Sequence, residues 1–191
     1  MQLVWPAAQY LPGYIDALER GWSPDNLRPK AAQEELARIA DDPEAFLALE
    51  IDRAAAGPPV ILPDGSTVAR LPGYRKWLWD GEFCGAIGFR WQPGTTDLPP
   101  HCLGHIGYSV VPWKRKRGYA TKALELLLIE ARQEDLAYVE LTTDVSNLGS
   151  QHVITTNGGV CVERFFKPAA YGGAESFRYR IYFIPPARCR S

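Results

Sequence analysis

The chain has 191 residues, of which 46% are hydrophobic and 23% are charged, and its formal net charge at pH 7 is -1. These values are typical of a single soluble globular domain, and the near-neutral charge argues against a nucleic-acid-binding protein. No apolar run approaches the ~20 residues that cross a bilayer, and the N-terminus lacks the regions of a secretory signal. We therefore expect a cytoplasmic protein with no membrane or nucleic-acid partner.

The cysteines and histidines form no pattern of a redox or metal site. The four cysteines are widely spaced, without a C-x-x-C pair, at Cys84, Cys102, Cys161 and Cys189. Disulfide scaffolds are usually shorter and denser in cysteine, so reduced thiols are expected. The segment His101-Cys102-x-x-His105 has no second ligand pair at zinc-like spacing, so no metal is predicted.

The N-terminal third is predicted to be helical after a short strand at residues 3–5. Helices are expected over residues 13–20, 29–41 and 44–55, since prolines at positions 12 and 43 suit helix starts. The remainder alternates between strands and two helices. Asp80-Gly81 is a strong hairpin signal, and strands are predicted over 60–62, 74–79, 83–91, 105–111, 138–143, 159–166 and 177–184, with helices over 119–134 and 147–156. This order predicts an α/β fold of the α+β type, with a mainly antiparallel sheet and one strand-helix-strand crossover.

The stretch from Tyr108 to Arg132 carries the clearest chemical signal. A short apolar strand stops at Pro112, a basic turn follows from Trp113 to Gly118, and an amphipathic helix then begins. Unpaired amides at a helix start and the helix dipole favour an anion, and Gly118 has no Cβ to hold a phosphate away from the backbone. The turn therefore predicts a site for a multiply charged anion.

The turn is neither a Walker A loop nor a dinucleotide fingerprint. It reads R-x-x-G-x-A over residues 115–120 and resembles the pyrophosphate loop of the GNAT superfamily of acetyl-CoA-dependent N-acetyltransferases. Further matches come in the same order as in that family, at residues 85–90, 105–110, 144–150 and 157–159. The resemblance implies a single GNAT-like domain over 1–191, with a variable helical part at 10–56, a conserved-type core at 60–166 and a terminal loop and strand at 167–191.

The resemblance also implies acetyl-CoA as the acetyl donor and cosubstrate, without a metal. The amides of Val110 and Val111 would pair with the pantetheine arm as a substitute strand, and an amide of the same strand would stabilise the developing oxyanion. Asn147 and Ser150 match a late motif whose side chains often touch the cofactor. The pyrophosphate would be held by Arg115, Lys116, Arg117, Gly118, Tyr119, Ala120 and Thr121.

The predicted reaction is direct attack by a primary amine of a small molecule, peptide or protein on the bound thioester. His105 is the candidate general base, because its ordinary pKa suits proton uptake; the alternative is a strand histidine bonded to backbone. Many relatives carry a tyrosine as general acid where this chain has Ile154. Ser150, Tyr171 or a water would then protonate the thiolate, or the thiolate would leave unaided.

Two other functions remain open from the sequence. A catalytically silent acyl-CoA-binding module would keep the loop at residues 110–121 but lack a working base. A binder of nucleic acid or phosphoprotein would use Lys114–Arg117, although no wider basic surface supports it. The acceptor amine is not identified by any motif, and the resemblance leaves a homodimer open.

Overall fold

The computed structural model describes residues 1–25, 28, 30–62 and 65–183. Its helices are α1 (Leu11–Glu19), α2 (Ala31–Asp41), α3 (Pro43–Leu49), α4 (Tyr119–Ala131) and α5 (Leu148–Thr156). Its strands are β1 (Gln2–Val4), β2 (Ile51–Asp52), β3 (Val60–Ile61), β4 (Thr67–Val68), β5 (Gly73–Trp79), β6 (Phe83–Arg90), β7 (Ile106–Val110), β8 (Tyr138–Asp144), β9 (Val160–Phe166) and β10 (Glu175–Tyr182). Most predicted elements are present with ends shifted by a few residues.

The helix predicted over residues 44–55 is wrong in its second half. α3 ends at Leu49, and Ile51 then pairs with Tyr74 on the edge of β5. The Asp52 carboxylate accepts backbone amides of the turn that follows. A side chain that bonds the nearby backbone in this way competes with continued helix, so helical periodicity alone placed the end of α3 too late.

The strands form two main sheets that meet at the crossover. β1, β5, β6 and β7 lie side by side in that order, with β2 also on β5, whereas β8, β10 and β9 form the second sheet. Every strand pairing in the described part of the chain is antiparallel. α4 connects β7 to β8, so the predicted α/β class with one strand-helix-strand crossover is confirmed.

Helices cover both faces of the first sheet. On one face Tyr14 of α1 stacks on Trp77 of β5, with ring centroids 4.5 Å apart, and both side chains are fully buried. On the other face Leu124 and Leu127 of α4 belong to the same buried cluster as Ile87 of β6. This packing fixes the end of β7 and the start of α4 relative to each other.

A buried ionic cluster fastens the N-terminal helices to the sheet. Arg75 on β5 pairs with Glu35 of α2 at 3.3 Å and with Glu50 at 3.1 Å. The Tyr14 hydroxyl donates to Glu35. Burial raises the pKa of Glu50, while Arg75 opposes that rise. The helical third is therefore tied to β5 by charge as well as by apolar contact.

The last described strand, β10, is the central strand of the second sheet. β10 ends at Tyr182, and Ile184, the last residue of the predicted strand, lies outside the described residues. β9 is an edge strand whose Val160 and Phe166 are exposed. Within the described ranges no helix combines the length and apolar character needed to cross a bilayer.

Candidate acyl-transfer site

The candidate site is the opening between β7 and β8, where the two sheets separate. At its closed end the His105 amide donates to the Glu140 carbonyl at 2.8 Å. Beyond that bond no strand pairing joins β7 to β8 among the described residues. Backbone groups that face the gap can pair with an extended ligand as if it were a strand.

Val110 and Val111 face opposite sides of β7. The Val111 amide donates to the Cys84 carbonyl at 3.0 Å, and the Val111 carbonyl accepts the Lys114 amide. Val111 therefore has no amide left for the predicted pairing with pantetheine, which corrects that expectation. Because backbone groups of successive strand residues point to opposite sides, those of Val110 face the gap, where its carbonyl accepts from Arg115 Nε at 3.2 Å.

The predicted pyrophosphate loop turns its backbone outward. Lys116 and Gly118 are both left-handed, with φ of 60° and 76°, and such alternation of handedness aims successive amides into one concavity. The amides in the first turn of a helix have no intrahelical acceptor, and those of α4 have no capping side chain among the described residues either. A Cβ added to Gly118 would meet no heavy atom within 4 Å. This surface can accommodate an anion at short range.

The positive charge at the loop comes from three residues. Arg115, Lys116 and Arg117 are exposed. Lys114 is buried, and its Nζ pairs with Asp80 at 2.6 Å and with Glu82 at 3.0 Å. Lys114 is therefore neutralised within the fold, and the basic patch is smaller than the sequence suggested.

Asn147 and Ser150 are joined at the start of α5. The Asn147 side chain accepts the Ser150 amide at 3.0 Å, as the N-cap of the helix. The Ser150 hydroxyl lies 2.8 Å from the hydroxyl of Tyr108 on β7. Ser150 therefore lies beside β7, the strand that borders the gap. It contacts this strand at Tyr108, which is two residues before Val110.

Ile154 has an aliphatic side chain with no proton to donate, and it fills a position in the core. Its side chain is 1% exposed and belongs to the core cluster under α4. In the next turn Asn157 donates to the Thr121 carbonyl at 3.2 Å. The part of α5 that holds the acid in many relatives is used here to pack against α4.

His105 has the contacts of the backbone-bonded alternative. It is fully buried, and its Nδ1 accepts the Glu140 amide at 2.9 Å. Its Nε2 has no hydrogen-bond partner in the described part of the chain. Burial lowers the pKa of His105 to about 4, although Glu140 partly opposes this shift. The imidazole is neutral at pH 7 but enclosed, so it has no surface that an amine could reach without movement.

The other candidate groups give no clear base. Glu82 at the hairpin tip has a side chain that is 79% exposed, and Tyr171 donates its hydroxyl to the His101 carbonyl. Burial raises the pKa of Cys84 to about 11, so its thiol is protonated at neutral pH. Among the described residues no three His, Cys, Asp or Glu side chains come together as a metal site would require.

Two contacts relate the predicted cofactor residues to the gap edge of β7, where Arg115 of the loop bonds the Val110 carbonyl and Ser150 lies beside Tyr108. Asp80 and Tyr108 were missed as partners of this site. The sequence predicts Asp80 only as part of the hairpin turn, and no local pattern indicates its contact with Lys114. No local pattern indicates the pairing of Tyr108 with Ser150, because that pairing depends on how α5 packs against β7.

Sequence comparison agrees with this geometry. The sequence model of the Acetyltransferase (GNAT) family matches residues 15–158, which is most of the chain. No curated protein matches the sequence.

Solved structures share the fold at low sequence identity. The microcin C7 self-immunity acetyltransferase MccE, in complex with acetyl-CoA and AMP, is 14% identical, with a TM-score of 0.61, over 95% of this chain and 91% of that one. The ribosomal L7/L12 alpha-N-protein acetyltransferase RimL, in complex with coenzyme A, is 14% identical, with a TM-score of 0.60, over 94% and 92%. At such identities the likeness establishes the fold alone.

Proposed function

Because the chain belongs to the acetyltransferase (GNAT) family, we propose that it is an N-acetyltransferase that transfers the acetyl group of acetyl-CoA to a primary amine. The proposal rests on one observation, which is that a strand edge facing the gap and an anion site follow each other directly along the chain. The gap edge of β7 at Val110 leads within a few residues into the outward-facing loop and the uncapped start of α4. A strand edge and an anion site in sequence suit a ligand with an amide-bearing arm and a pyrophosphate.

The proposed cosubstrate site follows that order. Val110 offers its amide to the pantetheine arm, and the loop amides with Arg115, Lys116 and Arg117 hold the pyrophosphate. The two similar structures named above were solved with acetyl-CoA or coenzyme A, which supports the same ligand here. Asn147 already caps α5, so we propose that it shapes the site through Ser150 and contacts the cofactor less directly.

A second amide on the gap side of β7, where the backbone of alternate residues faces away from β6, is the proposed donor to the thioester oxygen. The oxygen becomes an oxyanion when the amine attacks, and a fixed donor in such a position contributes about 3 kcal/mol in comparable acyl transfers. Amides on a packed strand are already oriented, because the sheet holds them. The gap edge of β7 would thus both bind the arm, through Val110, and stabilise the charge, through a second amide.

Ser150 is the proposed proton donor to the leaving thiolate, supported by Tyr108. Burial raises the pKa of Tyr108 to about 12, while Ser150 partly opposes the rise. The phenol therefore stays protonated, and the pair would relay to the thiolate the proton that the attacking amine loses when the amide forms, so both hydroxyls end the step protonated. A thiol of pKa ~8.5 needs only modest help to leave, so a hydroxyl pair is sufficient.

The amine would attack without a covalent acetyl-enzyme. Cys84 is buried, and its raised pKa disfavours the thiolate nucleophile. The role of His105 as general base stays a prediction, because its burial argues for a structural role. If His105 is structural, the protein binds the amine that is already neutral in solution. Turnover then rises as the pH approaches the pKa of the acceptor amine.

The acceptor is proposed to enter beside the N-terminal helices. Trp22, just after α1, donates its indole N–H to the Ser109 hydroxyl at 2.9 Å, so this segment lies against the face of β7 opposite Tyr108. A small-molecule, peptide or protein amine is compatible with this arrangement. A cytoplasmic location and a homodimer stay predictions.

One observation favours a second function, a catalytically silent acyl-CoA-binding module. The enclosed His105 and the buried Ile154 leave the site without the base and the acid expected of many relatives. The two functions predict the same binding of acetyl-CoA and differ in turnover alone.

An acetylation assay across an amine panel separates them. The panel should span small polyamines, amino acids, peptide N-termini and lysine peptides, with free thiol and acetylated product both measured. The enzyme proposal predicts thiol release matched by product for at least one class. Tight acetyl-CoA binding with no product on any amine would favour the silent module.

A further inference from the structure

The tip of the β5–β6 hairpin contacts both ends of the pyrophosphate loop, which we define as residues 115–118. Asp80 at this tip accepts from Lys114 Nζ through Oδ1 at 2.6 Å and from the Tyr119 hydroxyl through Oδ2 at 2.5 Å. Lys114 directly precedes the loop and Tyr119 directly follows it. One carboxylate therefore joins the two residues that flank the loop.

The contact is strongly electrostatic. The Lys114 side chain is only 7% exposed, and Glu82 is its second acidic partner. Burial opposes ionisation of Asp80, but hydrogen bonds from Lys114 and Tyr119 hold its pKa well below the ordinary value. Asp80 is therefore charged at neutral pH, and its removal would leave a buried ammonium less well compensated.

The loop between these anchors is not in a conformation that a free chain would favour. Lys116 adopts a left-handed backbone, which is unfavourable for a residue with a side chain. Arg115, Lys116 and Arg117 also repel each other until an anion arrives. A loop held at both ends loses less conformational freedom when a ligand binds.

We propose that Asp80 is a positioning residue that pre-organises the pyrophosphate loop for coenzyme A. The proposal rests on the proposed function, because it assumes that the loop binds the cosubstrate. Asp80 would not touch the ligand. It would act through Lys114 and Tyr119, and its loss would weaken acetyl-CoA binding more than it slows the acyl transfer itself.

The hairpin turn offers a way to separate positioning from local stability. Besides its two anchors, Asp80 Oδ1 accepts the Glu82 amide at 3.3 Å within the turn. Asp80→Asn keeps an oxygen for that turn bond but loses the charge, whereas Asp80→Ala loses the turn bond and both anchors. Tyr119→Phe removes one anchor and leaves Asp80 and Lys114 in place.

The test measures KM for acetyl-CoA, kcat and melting temperature for each variant, together with Kd for coenzyme A. We expect Asp80→Ala to raise KM and Kd about 10-fold with kcat within about twofold of wild type, since a preformed site mainly affects binding. Asp80→Asn and Tyr119→Phe should give smaller rises of about threefold. Asp97→Ala is the matched control, because Asp97 accepts a tyrosine hydroxyl in the same way, from Tyr138 at 3.0 Å, but away from the loop. It should leave KM unchanged.

The outcomes are distinct. Unchanged KM and Kd in folded Asp80 variants, or a loss confined to kcat and melting temperature, would overturn the positioning role while leaving the proposed function intact. If Asp80→Ala does not fold, the Asp80→Asn and Tyr119→Phe variants decide by the same criterion. Failure of the wild-type protein to bind coenzyme A would instead refute the proposed function, and the positioning role with it.

Discussion

The hydroxyls of Tyr108 and Ser150 lie 2.8 Å apart and join β7 to the first turn of α5. The pair lies beside the gap between the two sheets, where we propose that the general acid acts, while Ile154 is turned into the core. If Ser150 protonates the thiolate, its loss should act on the chemical step.

Ser150→Ala should lower kcat by about 10- to 100-fold and leave KM for acetyl-CoA nearly unchanged, because general acid catalysis by one group is of this order or larger. Steady-state kinetics with a thiol-detecting reagent measures both constants. Thr155→Val is the matched control, since the Thr155 hydroxyl bonds within the same helix to the Gln151 carbonyl. Equal kcat in Ser150→Ala and wild type would show that the thiolate leaves unaided.

Asn147 is expected to act first as a helix cap. Asn147→Ala should lower the free energy of unfolding by about 1 kcal/mol, and Asn147→Ser should restore most of it, because serine also caps helices. Chemical denaturation measures the loss. A raised KM for acetyl-CoA in the stable Asn147→Ser variant would instead reveal a direct contact with the cofactor.

Installing the tyrosine found in many relatives should harm this protein. Ile154→Tyr places a larger, polar side chain in a site that is 1% exposed, and overpacking of this kind costs about 1–3 kcal/mol. Unfolding experiments should therefore show a less stable variant whose kcat does not exceed that of wild type. A folded variant with increased kcat would mean that α5 can present the acid from this position.

His105 should make stability depend on pH. Its pKa is lowered to about 4 from an ordinary 6.5, so between these values the unfolded chain binds a proton that the folded chain does not. Stability should therefore be lost as pH falls from about 6.5 to 4, by up to about 3 kcal/mol. Asn can still accept the Glu140 amide, so His105→Asn should fold and lose this part of the pH dependence. Denaturation curves from pH 7.5 to 4.5 give the comparison, and parallel slopes for both proteins would contradict the assignment.

The same variant tests the catalytic alternative. If His105 is only structural, the pH–rate profile of His105→Asn should have the same shape as that of the wild type. A limb near pH 4, the lowered pKa of His105, that is present in the wild type and absent from His105→Asn would show that the imidazole takes the proton of the amine.

The sequence predicted the features that depend on short segments. The hairpin at Asp80-Gly81, the turn before Gly118 and the helix that begins near Asn147 are local patterns, and each is present. The sequence could not show that the Val111 amide donates to the Cys84 carbonyl, because this bond depends on which edge of β7 pairs with β6. The burial of Lys114 by Asp80 likewise depends on how the hairpin tip meets the crossover. Long-range contacts of this kind leave no trace in residue spacing.

The most direct test of the account is calorimetric titration of acetyl-CoA into wild type, Gly118→Trp and Gly94→Trp. Both glycines are left-handed, with φ of 76° and 78°, and neither would bring a Cβ within 4 Å of another heavy atom, so the two substitutions impose similar backbone strain. Only Gly118 lies where the pyrophosphate is proposed to approach the backbone. We expect binding by wild type and Gly94→Trp and none by a folded Gly118→Trp. Equal affinity in all three proteins would contradict the assignment of this loop to coenzyme A.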